Sequence, residues 1–163
     1  MSLLADRKFW RIFAAGFLWG IVATFLGGAI YLRHALIQEV RSTAGGHPET
    51  VAALAARINR QPGWIASVGS GCAVPKIPDG SRLEQVKLCH REHAAALLAD
   101  DASRKVATFI PCTFAVYEKG DGHTYIARLN VRLLGTLLGG APGRIFPAKV
   151  EPEQAEILAD LSR

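Results

Sequence analysis

Apolar residues recur along this chain in three rhythms. The first is unbroken: residues 12–32 (IFAAGFLWGIVATFLGGAIYL) carry no charge. As a helix this run rises roughly 31 Å, about the thickness of a bilayer's hydrocarbon core, so it predicts a transmembrane span. The second rhythm is helical. Val51, Leu54, Ala55 and Ile58 make an amphipathic stripe that opens at His47-Pro48-Glu49-Thr50 and stops at Gln61-Pro62-Gly63. The third is strand-like. Residues 64–69 and 83–88 are short strand candidates, and 106–117 (VATFIPCTFAVY) is the clearest strand. Lys119-Gly120-Asp121-Gly122 predicts a hairpin turn that returns through 123–129.

The remaining segments fall between these. Residues 33–42 are expected to continue the first helix into water, ended by Ala44-Gly45-Gly46. Residues 69–81, with Pro75, Pro78 and Gly80, predict a loop. An alanine- and leucine-rich helix is expected over 90–101 and a short one over 130–138. The latter's Leu133, Leu134, Leu137 and Leu138 are read as core. Gly139-Gly140-Ala141-Pro142-Gly143 breaks the chain, and Pro152 opens a last helix with Ala155, Leu158, Ala159 and Leu161 inward. The order predicts an α+β protein: a single N-terminal transmembrane helix with its tip and extension over 1–42, then one domain over 43–163 with helices packed on one sheet.

The span has interface markers, with Trp10 and Trp19 in its N-terminal half and Tyr31 at its other end. Ala29 is followed by Ile30-Tyr31-Leu32, a poor cleavage site, so an uncleaved anchor is expected rather than a signal peptide. Arg7, Lys8 and Arg11 precede the span, while Arg33 and Arg41 follow it. That bias places the N-terminus in the cytoplasm of a bacterial inner membrane and the domain on the periplasmic side. Gly16, Gly20, Thr24 and Gly28 recur every four residues and line one helix face on which a second membrane helix could pack closely.

Composition narrows the function classes. Of the formal net charge of +5, the part after the anchor keeps +3, which is mild and suits a domain near anionic headgroups. No Lys/Arg run with interleaved aromatics occurs, so no nucleic-acid partner is expected. The three cysteines, Cys72, Cys89 and Cys112, allow three different single bridges, and the sequence does not choose among them. There is no CxxC, CxxCH or HExxH, which excludes the usual signatures of thioredoxin-like redox, covalent haem attachment and zinc proteases. Glu118 has no carboxylate partner at a defined spacing, and no Ser-His-Asp set or phosphate loop is present.

Candidate chemistry centres on Cys89 and Cys112. A right-handed crossover through the intervening helix would lay their strands parallel and bring the thiols to similar height. Cys89 then lies at a helix N-terminus, where thiolate is favoured, with His93 one turn on. Such a set would ligate a soft metal ion or a haem iron, or form a disulfide. Against this, Ile110, Cys112, Phe114 and Val116 share one strand face, so Cys112 reads equally as a buried apolar residue, while Cys89 shares parity with Gln85 and Lys87 on a wetter face. His90 and His93 have a spacing that metal sites use, but exposed helix histidines are commonly solvated. His34 and His47 read as interfacial or capping residues, and Pro111 as the mark of an edge or bulge beside Cys112.

The segments VKLCHREHAAALLADD and FIPCTFAVYEKGDGHTYIARLNVRLLGTLLGG carry a further pattern. It is a strand ending at Cys89, a helix, Ile110-Pro111-Cys112, Val116-Tyr117-Glu118, a Gly120–Gly122 hairpin and a strand leading to Asn130. This resembles the domain-of-unknown-function 302 family. The resemblance implies a compact α/β roll that often pairs as a homodimer, in small bacterial proteins of which some have a membrane segment. It implies no reaction. The chain departs from the pattern at His90, where members often carry Asn, and in the loop holding Cys72. Two functions are therefore expected. The first is a membrane-anchored, non-catalytic accessory subunit that docks a membrane protein partner within a larger assembly, a redox or respiratory complex being one such kind. The alternative is a periplasmic-side thiol-redox or metal- or haem-binding protein using Cys89 and Cys112.

Overall fold

A computed structural model of the chain describes residues 7–69, 77 and 79–161. It divides into two units, residues 1–35 and 36–163. In the first, the 29-residue helix α1 (Arg7–Ala35) exposes apolar side chains all along its length, among them Phe17, Trp19 and Phe25. It is long and apolar enough to cross a membrane, a property shared by membrane anchors and signal sequences. An added Cβ at Gly16, Gly20 or Gly28 would meet open space. Thr24 turns its hydroxyl back to the Gly20 carbonyl at 2.8 Å, so it adds little polar character to that face.

The second unit contains β1 (Ile37–Arg41), α2 (His47–Arg60), β2 (Trp64–Gly69), β3 (Leu83–His90) and α3 (Arg91–Leu98). After a 3-10 segment (Asp101–Phe109) come β4 (Cys112–Glu118), β5 (Thr124–Leu129) and α4 (Val131–Leu138). The chain ends in α5 (Gly140–Ile145), a π turn (Phe146–Val150) and α6 (Glu151–Leu158). The strands form one antiparallel sheet in the order β1-β5-β4-β3-β2. This is the α+β architecture expected from the sequence, with helices packed against the sheet.

Alternation makes the sheet two-sided. Val86 pairs with Phe114 and Val116 with Ile126, so these fully buried side chains adjoin on one face. Leu54 and Ile58 of α2, with Phe146 and Ile157 from the C-terminal helices, close over them. Each such side chain contributes roughly 1.5–3 kcal/mol by leaving water. On the opposite face Tyr117 stacks on Tyr125 at 6.3 Å, and Lys119 sits 4.1 Å over the Tyr125 ring. Glu39 accepts from both Lys119 and Tyr117, chiefly the former, which holds its carboxyl below the ordinary carboxylate value.

Several sequence expectations are corrected. Residues 37–41 are not helical: Gln38 and Val40 turn toward the interior and the segment pairs with β5, so the second unit starts at Leu36 rather than at residue 43. The crossover from β3 does not produce a parallel pair. The helix expected over 90–101 spans only 91–98, and with the 3-10 segment it stays at one end of the sheet, returning the chain antiparallel. The strand expected over 106–117 begins only at Cys112. Ser103 and Val106 are buried three residues apart, a 3-10 spacing, and Pro111 lacks the N–H a ladder needs. Pro111 therefore marks a strand's start rather than an edge, since β4 lies inside the sheet. His47 is buried at the head of α2, 3.3 Å from the Val116 carbonyl, not at an interface. Of the leucine cluster, Leu134 and Leu138 join the core while Leu137 is 60% exposed. Cys72 and most of the 69–81 loop lie outside the described residues.

The last helix, α6, opens with Pro152 in its first turn, as expected, but it buries Gln154, Ile157 and Leu158 while Ala155 and Ala159 are exposed; α5 and the π turn lead into it. Pro142 occupies a first turn, and the chain accommodates Pro147 by widening into the π turn. Reversal from α4 is made by Gly139 (φ +64°) and Gly140 (φ +58°), both in the left-handed region. The two helices then approach so closely that a Cβ on Gly135 would lie 2.7 Å from the Pro142 carbonyl oxygen. We expect Gly135→Ala to destabilise the domain by about 1–2 kcal/mol in urea unfolding, overpacking outweighing the gain in helix propensity. Gly120→Ala, where an added Cβ meets nothing within 4 Å, should leave the midpoint unchanged.

Candidate functional site

The densest group of potential ligand atoms lies where β2, β3, α3 and α6 converge. His90 ends β3 and caps α3: its Nδ1 accepts from the His93 backbone N–H at 3.3 Å, fixing the ring at the head of the helix. One turn on, His93 stacks on it with ring centroids 3.8 Å apart and planes 12° from parallel. Trp64, which pairs with His90 across β2 and β3, meets both imidazoles edge-on at 5.4 and 6.1 Å. Gly63 makes room for this arrangement. It has a φ of +80°, and a Cβ there would fall 2.3 Å from His90 Nε2.

The third member comes from α6. Glu153 accepts from Trp64 Nε1 at 2.6 Å, and His93 Nε2 lies 3.0 Å from both carboxylate oxygens. The His93 side chain is only 11% exposed, so it is not the solvated helix histidine that its sequence setting suggests. His90, His93 and Glu153 each offer a ligand atom, all within 4.8 Å of one another. Among the described residues these could hold a metal ion, and imidazole–imidazole–carboxylate is a donor set suited to first-row divalent ions.

Cys89 and Cys112 are arranged differently. Leu88 pairs with Cys112 and Cys89 with Ile65, so successive side chains place Cys112 on the helix-covered face and Cys89 on the other. Both are free thiols. His93 thus joins His90 and Glu153, while the two cysteines are offset by one residue in register. Burial pushes the Cys112 thiol up from its ordinary 9.0 to about 11, partly offset by the neighbouring Gln154 amide.

Beyond Cys112 lies a cleft of about 130 Å³ whose wall includes Arg128, Val131, Phe146 and Gln154. Arg128 donates to Glu151 at 2.6 Å and to the Gln154 side-chain oxygen at 3.2 Å. Glu151 Oε2 and Gln154 Nε2 have no hydrogen-bond partner among the described residues. Nothing in the sequence singles out Trp64 or Glu153 as part of a site. Glu153 stands 60 residues from His93 and 89 from Trp64, and no local spacing links them.

The Cys112 environment has a pH signature. A thiol raised from 9.0 to about 11 stays neutral in the folded state where the unfolded chain already ionises. Its contribution to stability is complete below pH 9.0 and is lost as pH rises toward about 11. Iodoacetamide labelling of Cys112 under native conditions, followed by mass spectrometry, should be minimal at pH 8 and climb up to tenfold per pH unit until about 11.

No family model matches the chain, and no curated protein matches it. Among solved structures it is similar to the crystal structure of the uncharacterized conserved protein DUF302 from Bacillus stearothermophilus. The TM-score is 0.63 at 20% identity, over 78% of this chain and 98% of that one. The domain therefore has a fold like that of a DUF302 protein, consistent with the resemblance carried by Cys89, Ile110-Pro111-Cys112 and Val116-Tyr117-Glu118.

Proposed function

We propose that this chain is a membrane-anchored, non-catalytic accessory subunit. In this reading α1 stays in the membrane and packs laterally on a membrane protein partner or a second copy. The cation excess of Arg7, Lys8 and Arg11 over Arg33 and Arg41 favours a cytoplasmic N-terminus, with the domain on the periplasmic side of a bacterial inner membrane. The observation that carries the proposal is the helix itself. It is apolar on every side, yet one face is cut back to an open groove lined by Gly16, Gly20 and Thr24, flanked by Phe17, Ile21 and Phe25. Lipid tails need no such groove, whereas a neighbouring helix gains van der Waals contact from it.

The alternative is a thiol-redox, metal or haem centre at Cys89, Cys112 and His93. Its support is that Cys89, His93 and Cys112 line one cleft. The opposed faces of Cys89 and Cys112, and the thiol kept protonated by burial, favour the accessory reading.

Affinity purification of the full-length protein in mild detergent tests the proposal. We expect a membrane protein, or a second copy, to co-purify in stoichiometric amount, and Gly20→Leu to reduce its recovery at least tenfold. A chain that runs alone as a monomer under gentle extraction would overturn it.

A further inference from the structure

The His90–His93–Glu153 cluster is built more elaborately than an ion pair requires. A hydrogen bond from His93 Nε2 is best aimed at one carboxylate oxygen, yet both oxygens lie 3.0 Å away. Trp64 Nε1 donates at 2.6 Å to one of these oxygens, Oε2, and so orients the carboxylate, as outer-shell donors orient metal ligands. His90 contributes nothing to the His93–Glu153 pair directly, but its ring is stacked against His93 in a space that only a glycine at position 63 leaves open.

We propose that His90, His93 and Glu153 bind one first-row divalent metal ion of the zinc type. Ligand bonds to zinc of roughly 2.0–2.2 Å hold tetrahedral donor atoms roughly 3.3 Å apart. His93 Nε2 and Glu153 are already near that spacing, and the His90 donor, within 4.8 Å of both, reaches it when the ring turns out of its stack on His93 and releases the His93 N–H. Three protein ligands leave at least one position for water or a small exchangeable ligand, the pattern of open rather than purely structural zinc sites. His90 and His93 line an apolar cleft with Leu97, Ile110, Cys112 and Phe146. The site differs from a cysteine centre: neither Cys89 nor Cys112 is needed as a ligand, and binding does not depend on whether α1 finds a partner.

The test is titration of full-length protein in mild detergent, carrying a histidine-free affinity tag, with zinc by calorimetry and with cobalt by visible absorbance. We expect one ion per chain, a cobalt ligand-field band, and a melting temperature that rises with zinc. Glu153→Gln, which retains an oxygen for Trp64, and His90→Asn, which retains a helix cap, should each weaken zinc binding at least 30-fold while the metal-free melting temperature stays within a few degrees. Should one variant fail to fold, the other decides. The Cys89→Ser/Cys112→Ser double variant should bind zinc as the parent does. Absence of binding at 100 µM zinc, equal affinity in the folded His90 or Glu153 variant, or loss of binding in the cysteine double variant would each overturn the assignment.

Discussion

The pairing of Leu88 with Cys112 across β3 and β4 decides which side chains in this domain can meet. Pleating sends every second residue to the same face, so this one register fixes Val86 and Leu88 beside Phe114 and Cys112 under the helices. It also leaves Cys89, half-buried, one position out of register with Cys112. A shift of one residue would bury Lys87 and Thr113 and expose Phe114, and the buried apolar pairs across β3, β4 and β5 oppose it. The same pairing brings β3 to its end beside the start of β2, where His90 lies opposite Trp64. The histidine cluster is thus a consequence of core register, although none of its members belongs to the centre of the core.

Parts of this arrangement are legible without coordinates. The stripe of Val51, Leu54 and Ile58 specifies a helix because its period has only one geometric solution. The 119–122 turn specifies a hairpin because Gly122 supplies a positive φ, and Lys119 exchanges backbone contacts with His123 and Gly122. Phe114 and Val116 alternate cleanly, so the buried face of β4 can be read, and with it the inward position of Cys112. What is not legible depends on contacts distant in sequence. Residues 37–41 become a strand because β5 has an open edge to fill, a fact their short alternation does not state. The stretch around Pro142 looks like a break, but Pro142, Pro147 and Pro152 each fall in the first turn of a successive helical segment that absorbs the missing N–H. The candidate site divides the same way. The spacing of His90 and His93 is visible, while Trp64 and Glu153 are joined to them only through the packing of α6.

That packing gives a single turn of α6 two separate tasks. Glu151 and Gln154, three residues apart, face Arg128 on β5, whereas Glu153 faces Trp64 and His93. Arg128 and Glu151 are 9% and 15% exposed in their side chains, and neither charge is well solvated alone. Removing one partner would strand the other in a low-dielectric setting, a much larger penalty than the net value of the intact pair. The ion pair is accordingly better understood as a positional constraint than as a source of stability. It fixes the rotation of α6 about its own axis, and that rotation sets where the Glu153 carboxylate arrives. Because the pair draws on β5 and the histidine cluster on β2 and β3, α6 is referenced to both halves of the sheet. The carboxylate between Trp64 and His93 is therefore held by the fold as a whole rather than by its own two hydrogen bonds. The packing of α6 thus fixes the carboxylate, while the His90 ring at the head of α3 is the movable part of the cluster.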